Sequence, residues 1–220
     1  DTGTGLGVLR ERTGNRTGNR TGNRTGGDDE GLLLTGAQRT LARSAEPLFV
    51  TKANRLATVH RATYLDYVGA KEFDNRGMVV GEHRFLGLWT AGIYREPTRE
   101  IPLLRHKVAR VMTELGVHRH GHDAKAVQHV LETYPRDELF QSSVDEVVDT
   151  VRGTVNLYER RQVRLFPRHD PFGRFWSCLL YVPRDRYNTL AREFIELIVM
   201  AAYGGAEIET QVHLGESTLA

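Results

Sequence analysis

The feature that most restricts how this 220-residue chain can fold is a hydrophobic period that switches back and forth between Glu138 and Leu214. Glu138 to Gln141 reads as a short strand. Ser143-Val144-Asp145-Glu146 is a capping box, in which the Ser and Glu side chains satisfy each other's backbone amides at a helix start. The stripe that follows (Val144, Val147, Val148, Val151, Val155, Tyr158) recurs at helical spacing. Gln162 to Phe166 is a strand, Asp170-Pro171-Phe172-Gly173 a turn, and Arg174 to Val182 a second strand. That strand is apolar on both faces, through Phe175, Leu179 and Tyr181 on one and Trp176, Cys178, Leu180 and Val182 on the other, which suits a central position. A helix from Asn188 turns Leu190, Phe194, Leu197, Ile198 and Ala201 inward and closes at Gly204-Gly205. Glu207 to Leu214 alternates as a final strand. The order β-α-β-β-α-β predicts a ferredoxin-like unit over residues 136–220.

Upstream, Leu48 to Thr51, Ala57 to Tyr67 and Met78 to Trp89 are rich in β-branched and aromatic residues, and Asp74-Asn75-Arg76-Gly77 supplies a hairpin turn. Ile101, Leu104, Val108, Val111 and Leu115 then mark a helix stopped by Gly116. A further helix runs from an Asp123 N-cap through Val127, Val130 and Leu131 and ends before Pro135. Residues 46–135 therefore read as an antiparallel sheet with helices, and the chain as α+β.

Residues 1–45 read as a flexible low-complexity linker. Ten of the 22 glycines fall in the first 36 positions, and no apolar residue occurs between Arg10 and Gly31. Arg-Thr-Gly-Asn repeats in tandem from Arg12 to Asn23, and a segment with nothing to bury cannot offset its ordering entropy. The sequons at Asn15, Asn19 and Asn23 are by-products of the repeat. Both ends look cut from something longer, since the chain starts at Asp1 and stops at Ala220.

Few catalytic chemistries fit. There is no P-loop lysine motif and no Gly-x-Ser-x-Gly elbow. Gly3-Thr4-Gly5-Leu6-Gly7 lacks both the third glycine of a dinucleotide fingerprint and a preceding strand. Single Cys178 excludes an internal disulfide and, set mid-strand, is a core residue rather than a nucleophile. A net charge of +2 announces no polyanion partner, and no apolar run reaches the roughly 20 residues of a membrane span, so nucleic acid and membrane are set aside for a cytoplasmic protein. His118, His120 and His122 have metal-like spacing but no evident fourth ligand; no metal is assigned to them, nor any catalytic or cofactor-binding residue to the chain.

One candidate binding site follows from the topology. In the ferredoxin-like order strands one and three are central neighbours, so the loops leaving them lie side by side. Those loops hold Ser142 and Ser143, and Arg184, Arg186, Tyr187 and Asn188. Each delivers a helix N-terminus whose amides attract a carboxylate, with the arginines placed to fork onto it. The site predicted is one for a small amino-acid effector. If instead Ser143 and Asn188 only cap helices, the units are packing modules.

Longer stretches carry a resemblance. Ala57-Thr58-Val59-His60-Arg61, Leu65-Asp66-Tyr67-Val68-Gly69, Gly81 to Leu88, Glu100 to Arg105, Leu131 to Phe140, Asp170 to Phe175 and Tyr181 to Thr189 are similar to the N-terminal regulatory part of the large bacterial NAD-specific glutamate dehydrogenases. The resemblance implies ACT-like and PAS-type domains, with a PAS-type domain over 46–135 and an ACT-like domain over 136–220. It implies a parent homo-oligomer that converts L-glutamate, NAD and water to 2-oxoglutarate, ammonia and NADH. NAD would bind in a downstream catalytic domain, leaving this fragment without cofactor and inactive alone. Its partners would be the parent's remaining domains and subunits and an amino-acid effector; the alternative is a structural packing and oligomerisation module with no ligand of its own.

Overall fold

The computed structural model describes residues 36–59, 62–117, 121–158 and 162–213. The chain divides into two compact units, residues 1–90 and 91–220. The first is built around the turn at Asp74. Its carboxylate accepts the amide hydrogens of Arg76 and Met78 at 2.8 Å each, and Gly77 takes φ +76°, a conformation side-chain-bearing residues avoid. The turn joins β2 (Tyr64–Phe73) to β3 (Val79–Gly87), and β1 (Leu48–Leu56) pairs antiparallel with the other edge of β2. Tyr67 on the central strand is fully buried, stacks on Phe49 at 5.6 Å between ring centroids, and donates its hydroxyl hydrogen to Glu82. Gly69 makes room for that stack, because an added Cβ would lie 2.4 Å from the Phe49 ring.

The expected linker over 1–45 is corrected where it is described. Residues Gly36–Ala42 form a short helix, α1, and the Lys71 ammonium donates to the Leu41 carbonyl (2.7 Å), the Ser44 carbonyl (3.0 Å) and the Ser44 hydroxyl (2.7 Å). One cation from the sheet thus satisfies orphan carbonyls at the helix end. The Arg-Thr-Gly-Asn repeat and Gly3 to Gly7 lie outside the described residues.

The second unit is mostly helical: α2 (Ala91–Arg95), α3 (Leu104–Glu114), α4 (His122–Thr133), α5 (Arg136–Gln141) and α6 (Val144–Tyr158), then β4 (Arg164–His169), β5 (Trp176–Tyr181), a 3-10 turn at Arg184–Arg186 and α7 (Thr189–Tyr203). The helices α3 and α4 pack on α6, which buries Leu104, Val111, Val127, Val130, Leu131, Val147 and Val151. The capping box at Ser143 forms as expected: Ser143 N donates to Glu146 at 2.7 Å, and Glu146 N donates to Ser143 Oγ at 3.2 Å. The two strands pair antiparallel, from Arg164 opposite Tyr181 to His169 opposite Trp176. Their turn is organised by buried Asp170, whose carboxylate accepts from Phe172 N and Arg174 N and takes the Arg174 guanidinium at 2.8 and 3.0 Å.

The α+β class holds, with antiparallel sheets and helices in both units. Five finer expectations do not. Glu138 to Gln141 is helical, not a strand: Pro135 presets the entry φ, acidic side chains sit in the first turn, and Lys107 caps the far end by donating to the carbonyls of Leu139 (2.8 Å), Phe140 (2.9 Å) and Ser142 (2.5 Å). Of the strand expected over Glu207 to Leu214, residues 207–213 pair with no strand among the described residues, Ile208 and Val212 stay exposed, and Leu214 lies outside the described residues. The boundary expected between 135 and 136 falls instead between Thr90 and Ala91, since α3 and α4 pack on α6 within one unit. Gly121, not Asp123, is the N-cap of α4. Finally, α7 is turned over. The stripe expected inward is outermost, with Leu190, Phe194, Leu197 and Ile198 exposed at 74, 69, 66 and 59 %, while Ile195, Glu196, Val199 and Tyr203 are partly covered.

Candidate functional site

The loops expected to form an effector site start from elements unlike those anticipated. Because 138–141 is helical, no strand exit lies ahead of Ser142. Ser142 is buried at the end of α5, its amide bonded back to Glu138 O at 2.9 Å and its hydroxyl donating to the Glu138 carboxylate at 3.2 Å. Ser143 is engaged in its capping box, and Asn188 accepts Ala191 N at 2.9 Å as the N-cap of α7. Arg184 and Arg186 are exposed on the one-turn 3-10 helix, with Tyr187 half-buried beside them. Ser142 is thus drawn into the helical core, Ser143 stays exposed at the start of α6, and the other four residues belong to the entry to α7. His118 and His120 lie outside the described residues, as does the side chain of His122; among the described residues no group of three His, Cys, Asp or Glu could hold a metal.

The polar centre of the second unit lies elsewhere, at Glu138. Its carboxylate takes a two-pronged contact from Arg168 on β4, through Nε and, at 2.9 Å, Nη2. It also accepts from Ser177 on β5 at 2.7 Å and from Ser142. Both charged side chains are at least nine-tenths buried. Burial alone would lower the Arg168 pKa, but bonding to Glu138 outweighs it and holds the guanidinium firmly charged. Burial and then the Glu138 charge push the neighbouring Cys178 thiol up, which disfavours its thiolate; the residue is partly buried rather than in the core. Burial likewise raises the Tyr134 phenol. Both oxygens of the carboxylate are engaged, so the cluster fastens the β4–β5 hairpin to α5. Phe166 packs against Gly153 of α6, where an added Cβ would come within 2.6 Å of the ring.

This junction was missed by sequence reasoning. Its one signal is alternation: Arg164, Phe166 and Arg168 share a strand face, so a charge at 168 lies on the same side as a core aromatic. The second missed feature is that the apolar side of α7 faces outward; on its covered side Tyr203 lies 4.6 Å from Trp176, which is 43 % exposed and itself lies 4.4 Å from His169, ring centre to ring centre. No helix among the described residues is long and apolar enough to cross a membrane.

Comparison with known proteins matches these two features to named parts. Residues 101–160 match the family model "Glutamate dehydrogenase, helical motif 1", and residues 164–220 match "Glutamate dehydrogenase, ACT2 domain". An NAD-specific glutamate dehydrogenase of Halomonas elongata is 41 % identical over 169 residues, covering 77 % of this chain and 10 % of the relative. That of Pseudomonas aeruginosa is 42 % identical over 177 residues (80 % and 11 %), and that of Mycobacterium tuberculosis 31 % over 220 (97 % and 12 %). The chain spans about a tenth of the length of these relatives. The ACT-type expectation is met, but the matched stretch starts at β4, so α5 and α6 go with the helical motif rather than with the ferredoxin-like unit. The Glu138 junction therefore joins the helical motif, which holds Glu138 and Ser142, to the ACT2 stretch, which holds Arg168 and Ser177.

Proposed function

The chain belongs to the large NAD-specific glutamate dehydrogenase family, and from that premise we propose that it is a regulatory and assembly segment of such an enzyme, working mainly through packing. The parent would be a cytoplasmic oxidoreductase that oxidatively deaminates L-glutamate with NAD, with its cofactor and reacting groups outside these 220 residues. In the first unit the three-stranded sheet is the part we assign to the PAS-type domain. The observation that carries the assembly reading is the inverted α7, whose four exposed large apolar side chains form a patch of the kind that marks an interaction surface. Hydroxyl-radical footprinting tests it. Phe194 and Leu197 should react strongly in the 220-residue chain and at least about fivefold more slowly in the full-length enzyme; equal reactivity in both would overturn the reading.

Effector sensing is a second reading, favoured by the match to an ACT2 domain. It keeps Ser142, Ser143, Arg184, Arg186, Tyr187 and Asn188 as candidate contacts, and under it the effector shifts the distant active site by a coupling free energy of about 1–3 kcal/mol. Calorimetry of the chain against the amino acids and 2-oxoglutarate should then show a ligand whose affinity drops at least about tenfold in the Arg184→Ala/Arg186→Ala variant. Absence of binding heat from every compound would leave packing as the function.

A further inference from the structure

We propose that α7 and residues 207–213 together dock a β-strand of the parent enzyme from outside these 220 residues. That strand pairs with 207–213, and the sheet so made covers the exposed side of α7. The proposal rests on the assembly reading and names what covers the patch. Leu197, Leu190, Ala201, Phe194 and Ile198, all exposed, fall in that order across about 100° of the helix surface. That is the wide stripe of a helix set on a core, not the narrow seam of two paired helices.

The stretch that follows shows what that core is. Gly204, at φ +67°, closes α7, and only Gly205 and Ala206 separate it from residues 207–213, a connection of the usual length between a helix and the strand beside it. In an extended conformation Ile208, Thr210 and Val212 share one side, and Glu207, Glu209, Gln211 and His213 the other. Such a strand is about 23 Å long and the 15-residue α7 about 22 Å, so it can run back along the whole helix. One strand does not fill the stripe, because strands lie about 4.8 Å apart and a helix is about 10 Å across. The amides and carbonyls of 207–213 also need a ladder partner. The β4–β5 hairpin is not that partner: it meets α7 from the far side, where Tyr203, about half a turn from the middle of the stripe, lies 4.6 Å from Trp176 ring to ring. A ferredoxin-like return of 207–213 to the β4–β5 sheet would leave the stripe bare. The relatives are about ten times as long as this chain, so the parent has sequence to supply the missing strand. Its chemistry follows from cross-strand pairing, with apolar side chains opposite Ile208 and Val212 and basic ones opposite Glu207 and Glu209.

Hydrogen exchange of the 207–213 amides, measured in the 220-residue chain and in the full-length enzyme, tests this. They should exchange freely in the chain and at least about a hundredfold more slowly in the enzyme. Neighbouring amides of a strand point to opposite edges, so one of Thr210→Pro and Gln211→Pro removes a ladder bond. In the enzyme that variant should speed exchange across 207–213 and open Phe194 to hydroxyl radicals, while the 220-residue chain keeps its melting temperature. Benzoylphenylalanine at position 197 of the enzyme should photo-crosslink to a peptide outside these 220 residues. Free exchange of 207–213 in the enzyme, protection already present in the 220-residue chain, or a crosslink to a peptide within it overturns the proposal. If exchange stays free while Phe194 and Leu197 are slow to footprint in the enzyme, something other than a sheet covers α7 and the assembly reading stands. If they react there as in the chain, both fail.

Discussion

Glu138 shows how much a single residue can decide. Taken out of its sequence neighbourhood it looks like one more surface acid, yet its carboxylate gathers Arg168, Ser142 and Ser177 from three elements. Removing one partner of a buried pair costs more than the pair contributes, because the survivor is left charged and dry, typically about 3–5 kcal/mol. Glu138→Ala should therefore destabilise the second unit by about that amount in urea denaturation, without changing the circular dichroism of the native state. Replacing both partners, as in Glu138→Leu/Arg168→Met, should recover most of the loss. A Glu138→Ala variant within about 1 kcal/mol of the native chain would mean that water reaches the carboxylate and that the junction is not the fastening described here. Gly153 belongs to the same joint; its missing side chain is the space the Phe166 ring occupies.

At the level of elements, what the sequence revealed was whatever is decided locally. The Asp74 turn, the Ser143 capping box, the Asn188 cap, the Gly204 stop at φ +67° and the Asp170 turn all form as read, because each depends on side chains within a few residues of the backbone they satisfy. The failures share one cause, which is information held elsewhere in the chain. Four residues such as Glu138 to Gln141 are too short for period two to be told from period 3.6 when both sides are buried, and the decision passed to Pro135 and to Lys107, 32 residues from Leu139. Residues 207–213 alternate properly but join no ladder among the described residues, and a strand without a partner has nothing to hold it. The periodicity of α7 showed truly which side is apolar; it could not show whether that side meets this unit's own sheet or something beyond it. The candidate site was legible to the same extent: the caps formed, while the premise that brought two loops together depended on a strand that is a helix.

For the molecule as a whole, the family resemblance located the chain correctly but the domain boundary did not follow from it. The expected division at 135 cuts through a set of bonds that all lie within the second unit. Arg136 donates to the Glu96 carbonyl, Tyr94 donates to Asp137, and Lys107 closes the end of α5. A boundary belongs where few such bonds cross, and the chain's two compact units divide at Thr90 instead. Two truncations put the difference to a test. Residues 91–220 produced without the first 90 should retain strong helical circular dichroism and one cooperative thermal transition, because the core of α3, α4 and α6 and the Glu138 junction are complete within them. Residues 136–220 should not, since they leave behind α3, α4 and the Lys107 ammonium that three carbonyl oxygens around Ser142 require. If the shorter piece melts as cooperatively as the longer one, the helices before Pro135 add nothing essential to the core, and the ferredoxin-like boundary read from periodicity would be the true one after all.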